Sequence, residues 1–428
     1  MAPPIVFDLL RLFLSASATG PRGIDRVDLA YARFLFATWP GDCVGLLPTP
    51  WGLRLYDRRR VLRGLDALEA LWRERSVGPD AAFAHVVRRL SGAICRPPAR
   101  RPAGQTLRAA PSLAHLLLAT GLAVGTPVIR AAAQGAIYLN VGQLGWAAPW
   151  MVRWLRHRPD VRAVFLLHDA IPIERPDLVT PLGSTTHRRM MEVAARHATA
   201  LIFTTQAAGD SVLRLLQPYG RPLPMTTSLH LPVAPSFLAS VRPDPALAEY
   251  GYFVVVGAIE PRKNLLMLLN VWSELLRRRG RQAPRLVVAG SPARGGRPIL
   301  GQLQACGILQ DHVIVASGLS SPSLRQLVAN ARAVLMPSLA EGFGLPIVEA
   351  LTVGTPVLAS DLAAHREVGG ALAVYLDPTD EAGWLREIGH FADGDDATAA
   401  LRRKIAAYRP MTSGEYFKQI SFFLQSVR

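Results

Sequence analysis

Short, uninterrupted apolar runs recur along this chain. Val161–Leu167, Ala200–Thr204, Tyr252–Val256, Arg285–Ala289, Val313–Ala316, Ala333–Met336, Pro356–Ala359 and Ala373–Leu376 each end in a glycine, proline or polar break, and helical spacing resumes between most of them. A strand with one wet face alternates apolar and polar residues. A strand apolar throughout is covered on both faces and belongs to a parallel sheet flanked by helices. The pattern therefore predicts βαβ units, and it excludes all-helical and disordered chains. The first half starts the same way: an apolar run from Ile5 to Leu14, a small-residue loop, then helical spacing from Asp25 to Phe36.

At 428 residues the chain is too long for one core. Pro232, Pro235, Pro243 and Pro245 mark a linker. We place an N-terminal Rossmann-like domain at 1–245, with a basic and apolar exposed insertion over about 55–130. A C-terminal domain follows at 246–395, and a last segment, 396–428, is read as a helix crossing back to the first domain. The expected fold class is α/β: two doubly wound sheets facing across a cleft, with ligands at the carboxyl ends of the strands.

The net charge is +16, which favours an anionic partner, although 45 of the 48 cations are arginine and reflect a general Ala/Arg bias. Cys43, Cys95 and Cys306 lie far apart with no metal-ligand spacing, which suits a reduced, cytoplasmic protein. The N-terminus lacks the basic n-region and cleavage site of a signal peptide. Between Arg108 and Arg130 no residue is charged. This stretch, 109–129, is read as a spanning helix, an interfacial helix or a buried core element. With the basic 55–108 region it suggests peripheral contact with an anionic membrane face.

Two stretches carry chemistry. In Val256-Gly-Ala-Ile-Glu-Pro-Arg-Lys-Asn264, Gly257 lets the backbone turn directly after a strand. Arg262 and Lys263 follow as adjacent cations that need an anion, and a diphosphate would serve. In the second, Pro337 to Ala350, Gly342 and Gly344 compact a loop, Pro346 fits a first helical turn, and Gly354 fits the stop. The helix N-terminus suits a phosphate, while Glu341 and Glu349 would accept hydrogen bonds from hydroxyls of a ribose or hexose. No credible metal cluster is present in the sequence, so no metal or other cofactor is expected.

The Glu341 to Glu349 spacing, with Gly342-Phe343-Gly344-Leu345-Pro346 inside it, resembles the signature of retaining glycosyltransferases of the GT-B fold, family 4 ("glycosyl transferases group 1"). Glu260 to Asn264 resembles the same family's donor-phosphate segment. The resemblance covers about 250–380. It implies that Arg262 and Lys263 hold the donor diphosphate, Glu341 meets the transferred sugar and Glu349 the ribose, with the base near Ser317, Gly318 and Leu319. His168, in His168-Asp169-Ala170-Ile171-Pro172, resembles the family's acceptor-side histidine. Gly23, in Gly20 to Arg26, stands where the family has a glycine loop facing the diphosphate. Thr204-Thr205-Gln206 replaces the family's serine-centred turn.

The resemblance implies transfer of a hexose, such as mannose or glucose, from a GDP- or UDP-linked donor to a hydroxyl with retention. A lipid-linked saccharide of bacterial exopolysaccharide, capsule or O-antigen assembly is the expected acceptor. A GT-B sugar-nucleotide epimerase or hydrolase and a non-catalytic nucleotide-sugar-binding module compete with this reading. Nucleic acid does not, because aromatic residues are sparse and form no basic platform. Asp393-Gly394-Asp395 matches a metal motif of another glycosyltransferase fold but is read as a loop. Gly290 to Gly296 lacks the lysine of a P-loop, although Arg294 and Arg297 could border the donor entrance.

Overall fold

The computed structural model describes residues 2–17, 23–76, 80–92, 113–122, 124–240, 244, 247, 249–293, 295–394 and 396–427. They form two compact units. The first holds the described residues of Met1–Val77, Arg101–Leu229 and Gly414–Arg428; the second holds those of Gly78–Arg100 and His230–Ser413.

The first unit is built on eight strands: β1 (Ile5–Asp8), β2 (Cys43–Thr49), β3 (Gly52–Tyr56), β4 (Thr126–Pro127), β5 (Ile137–Asn140), β6 (Arg162–Leu167), β7 (Ala198–Phe203) and β8 (Met225–Ser228). Their order is β4-β3-β2-β1-β5-β6-β7-β8. All neighbours are parallel except β2–β3 and β3–β4. Strands β1, β5 and β6 are almost wholly buried, as their apolar runs require. Trp146 stacks on Phe165 at 4.2 Å between ring centres.

The second unit has six parallel strands: β9 (Tyr252–Val256), β10 (Arg285–Ala289), β11 (Val313–Ala316), β12 (Val334–Met336), β13 (Val357–Ser360) and β14 (Val374–Leu376). Their order is β11-β10-β9-β12-β13-β14. Trp272 and Trp384 are fully buried, and each indole N–H reaches a backbone carbonyl, those of Pro284 and Asp377, so burial leaves no donor unmet.

Both sheets reverse direction at one point. The chain lays β1 to β4 outward on one side and starts again with β5 on the other; in the second unit it lays β9 to β11 outward and restarts at β12. The adjacent pairs β1/β5 and β9/β12 are therefore the topological switch points, where the outgoing connections diverge and leave a crevice beyond the strand ends.

Several boundaries differ from the sequence reading. The chain passes between units at 229/230 rather than 245. The described residues of 55–130 do not form an exposed insertion, while 77–79, 93–112 and 123 lie outside the described residues. The helix Arg58–Ser76 buries Val61, Leu65, Leu68 and Trp72, and Arg58 on that face donates to the Trp39 and Gly41 carbonyls. The next helix, Ala81–Leu90, belongs to the second unit, where it packs on β11. Asp80 accepts its first-turn N–H from Phe83 and also the Ser320 N–H, and Arg285 donates to the Arg89 and Leu90 carbonyls. The uncharged 109–129 stretch, of which 109–112 and 123 lie outside the described residues, divides among the helix Leu113–Ala119, β4 and the start of the helix Val128–Ala131. Among the described residues no helix is long and apolar enough to cross a membrane.

Of 396–428, the helix Asp396–Ile405 stays with the second unit, and the stretch from Gly414 joins the first. There Phe417 stacks on Phe34 at 4.4 Å and meets Tyr31 edge-on, while the Tyr31 and Tyr416 hydroxyls pair at 2.8 Å. Replacing Phe417 with Ala is expected to cost about 3–5 kcal/mol. Urea unfolding checks this, and an unchanged midpoint would contradict the assignment of the last helix to this core.

Candidate active site

Gly257 ends β9 at φ 143°, a conformation suited to glycine. Across the ladder, a Cβ on Gly290 would lie 1.7 Å from the Gly257 carbonyl oxygen, so the ends of β9 and β10 approach as only glycine permits. The pairing runs past the strands, through Ile259 N–H to the Ser291 carbonyl at 3.0 Å. Residues Pro261–Lys263 then make one tight turn, closed by Asn264 at φ 54° with its side-chain amide on the Pro378 carbonyl. The turn places Arg262 and Lys263 at the switch point beside β12.

The loop after β12 meets them there. The Leu339 N–H donates to the Arg262 carbonyl at 2.9 Å, and Arg262 donates back to the Ala340 carbonyl at 3.0 Å. The Glu341 carboxylate lies between the two cations. Its Oε2 accepts from Arg262 at 2.7 Å, and its Oε1 accepts from the Lys263 ammonium and, at 2.9 Å, from the Ser338 hydroxyl. Arg262 also reaches Glu260 at 2.8 Å. The anion that the paired cations demand is thus supplied within the chain, by Glu341 and Glu260. Burial pushes the Glu341 carboxyl up, but the Lys263 and Arg262 charges outweigh it and hold the group well below the usual carboxylate range.

Gly344, at φ 97°, begins the helix Leu345–Thr352 with no side-chain cap and with Pro346 in its first turn. Its first N–H groups therefore have no side-chain cap. Phe343 is buried with its ring 5.8 Å from His230, and Glu349 lies buried on the same helix. Gly318, at φ 78°, and Leu319 follow β11, where the Ser317 hydroxyl donates to the Gly290 carbonyl at 2.8 Å.

The second unit thus brings together Gly257, Arg262, Lys263, Glu341, Gly342, Phe343, Gly344, Leu345 and Glu349, with Gly318 and Leu319 beyond β10. His168 and Gly23 lie in the first unit. His168, at the end of β6, hydrogen-bonds the Val141 carbonyl with its ring, leaving Nε2 without a partner. Burial and then the Arg11 charge push its pKa down to about 3, so the ring is neutral and Nε2 is an acceptor. Gly23 precedes the helix Ile24–Thr38; 18–22 of its loop lie outside the described residues. Thr205 caps the helix Gln206–Leu216, and Thr204 donates to the His168 carbonyl, both structural tasks.

Asp393 is not in a loop: it ends the helix Glu381–Asp393 in a double ion pair with Arg279 at 2.6 and 2.8 Å, while Asp395 lies outside the described residues. Arg297 begins the helix Arg297–Ala305, and Arg294 also lies outside the described residues. Among the described residues no group of three or more His, Cys, Asp or Glu could hold a metal ion.

Sequence reading missed Ser338, Asp80 and His365. His365 is buried, donates from Nδ1 to the Ser360 carbonyl at 2.9 Å, and leaves Nε2 unpartnered beside Gly344. Burial holds its pKa below the ordinary value despite Glu341. The apolar spacing around it hides this histidine in a helix face.

Replacing Glu341 with Gln leaves Lys263 facing a neutral amide and Arg262 with Glu260 alone, and is expected to cost about 3 kcal/mol near neutral pH. Because the folded carboxyl is depressed, its contribution is complete above the unfolded value of about 4.3 and is lost as pH falls toward the folded value. The stability gap between wild type and E341Q should therefore be flat above about pH 5.5 and shrink in acid. A gap that widens in acid would contradict this account; urea midpoints against pH decide.

Residues 251–393 match the family model described as glycosyl transferases group 1. The O-antigen chain mannosyltransferase B of Escherichia coli is 29% identical over 233 residues, covering 53% of this chain and 60% of that protein. The O-antigen chain mannosyltransferase RfbU of Salmonella typhimurium is 31% identical over 162 residues, covering 37% of this chain and 43% of that one. The chain therefore spans less than two thirds of either relative. Among solved structures, Anabaena HepE in complex with UDP and glucose superposes with a TM-score of 0.61 at 15% identity, covering 99% of this chain and all of that one. Sucrose-phosphate synthase from Thermosynechococcus elongatus gives 0.61 at 15% identity, covering 99% and 98%. The two parallel-sheet units are those of a GT-B glycosyltransferase fold, and residues 251–393 belong to the glycosyl transferases group 1 family.

Proposed function

We propose that this protein is a retaining, metal-independent hexosyltransferase. It moves a hexose such as mannose from a nucleotide-diphosphate donor to a saccharide hydroxyl, the acceptor being a lipid-linked intermediate of surface polysaccharide assembly. The observation that carries the reading is the closure of Arg262 and Lys263 on Glu341 at one switch point, three residues before Gly344 opens a helix without a side-chain cap.

The chemistry follows from those charges. As the glycosidic bond breaks, negative charge grows on the departing diphosphate. Fixed cations and backbone N–H groups aimed at that position stabilise the transition state more than the ground state. The site balances Arg262 and Lys263 against Glu341 and Glu260 before a donor arrives. A diphosphate takes over part of that pairing, and the Glu341 carboxylate then accepts hydrogen bonds from hydroxyls of the transferred sugar. The mannosyltransferase relatives support the mannosyl donor and the O-antigen context.

Lipid proximity draws support from the first unit's antiparallel edge. Trp51 projects from the β2–β3 turn at 73% exposure, and Leu118, Val124 and Ile129 are also exposed. Arg54 and Arg60 hold the Trp51 and Val124 carbonyls, so cations accompany the apolar groups, a composition suited to an anionic interface.

Replacing Arg262 or Lys263 with Ala is expected to lower kcat/KM for nucleotide-sugar turnover by about 10²–10³-fold each. Turnover is screened over GDP- and UDP-sugars with and without a membrane-lipid extract. Lipid-dependent release of one nucleotide supports the proposal. Release that ignores lipid points to a soluble acceptor or a hydrolase, and nucleotide binding with no release points to a binding module. Trp51→Asp is expected to reduce co-sedimentation with anionic vesicles several-fold, and equal sedimentation would contradict the membrane contact.

A further inference from the structure

A cavity of about 460 Å³ opens at the amino ends of β9 and β10, the end of the sheet opposite the loops that carry Arg262 and Glu341. It lies wholly within the second unit. Strand order puts arginines on both sides of β9 there. Arg285 begins β10, and its N–H donates to the Gly251 carbonyl at 3.3 Å. Across β9, the Arg332 N–H donates to the Tyr252 carbonyl at 2.8 Å, two residues before β12. Gly251 leaves space for that side chain: a Cβ there would stand 3.5 Å from Arg332 Nε. A third guanidinium in the wall, Arg279, ends the helix Leu265–Arg279.

The three differ in what they hold. Arg279 is engaged in the double ion pair with Asp393, and a helix C-terminus accounts for a cation there. Arg285 donates through Nη1 to the Arg89 and Leu90 carbonyls, which leaves Nε and Nη2 open among the described residues. The exposed Arg332 guanidinium makes no hydrogen bond with a described residue. Other cations crowd in behind. Arg402 donates to the Ala331 and Arg332 carbonyls, and burial and then the Arg332 charge push its pKa down. Burial and then the Arg89 charge do the same to Arg285. The acids are Glu249 and Asp393 in the wall and Asp311, which acts on Arg285. Arg89, Arg279, Arg285, Arg332 and Arg402 outnumber them, so the cavity is electropositive. Gathered like charge costs folding energy, and Arg332 makes no hydrogen bond that offsets it.

We propose that Arg285 and Arg332, with Arg279 beside them, form a second anion site that takes a small phosphorylated ligand, a diphosphate or phosphate-ester dianion. The site lies apart from the donor loops and does not rest on the proposed function. The groups select the class. A guanidinium fork matches two oxygens of a phosphate, and two open forks on either side of β9 suit a ligand with oxygens on more than one side. The volume falls within the roughly 300–1,000 Å³ of small-molecule sites.

The test titrates inorganic pyrophosphate into the intact protein by calorimetry, in wild type, Arg332→Gln and Lys263→Ala. Lys263→Ala, altered in the donor loops, is expected to keep a pyrophosphate site. Arg332→Gln is expected to weaken that site about tenfold or more, alone and combined with Lys263→Ala, while Tm and the binding of UDP and GDP stay unchanged. Arg285→Gln should weaken it similarly. If Arg285→Gln lowers Tm by releasing the Arg89 and Leu90 carbonyls, Arg332→Gln decides alone. Co-sedimentation with phosphatidic acid vesicles separates two sources of the phosphate. Sedimentation lost with Arg332→Gln assigns a lipid headgroup, and pyrophosphate binding without Arg332-dependent sedimentation assigns a free ligand. The site is overturned if Lys263→Ala abolishes all pyrophosphate binding, or if Arg332→Gln binds pyrophosphate with the affinity and stoichiometry of wild type.

Discussion

The second unit's chemistry depends on one buried ion cluster. Glu341, Arg262 and Lys263 come from loops some eighty residues apart in sequence, yet they close on each other over the ends of adjacent strands. Each charge alone would be costly there; together they satisfy one another and lock the loop after β9 to the loop after β12. The fold makes this possible only because β9 and β12 are neighbours at the switch point. Glycine at 257 and 290 lets the first loop descend to the level of the second.

This cluster also separates recognition from stability. A carboxylate between two cations holds the site ready without a ligand, at no net charge when Glu260 is included. Under the proposed function a donor diphosphate has to compete with an internal anion, which favours ligands bearing more than one negative charge and penalises monoanions. The helix at Leu345 adds donors that no side chain among the described residues caps.

Much of this architecture is legible in the order of residues. The buried strands of the second unit announce themselves as apolar runs, and the cation pair and glycine loop mark the ends of β9 and β12. The rest is hidden for physical reasons. β2 contains Gly45 and Pro48, residues that punctuate most sequences. Here Gly45 leaves room for the buried Leu9 and Val61 side chains, which a Cβ would meet at 2.3 and 2.7 Å. β8, Met225–Ser228, is a polar edge strand with no apolar run to betray it. The helix Ala81–Leu90 joins the second unit through Asp80 and Arg285, contacts that depend on tertiary structure alone. Arg11 and Asp28 do leave a trace. Arg11 interrupts an apolar run, and Asp28 sits on the buried face of a helix whose other inward residues include Tyr31, Ala32 and Leu35.

The central claim is that the loops after β9 and β12 together bind a nucleotide-diphosphate sugar. Amide hydrogen exchange on the intact protein, with and without saturating GDP- or UDP-sugar, tests it most directly. The account predicts that one donor slows exchange in 257–264 and in 337–350 together, with the strand cores unchanged. Protection confined to other segments, or in neither loop with any donor, would contradict it.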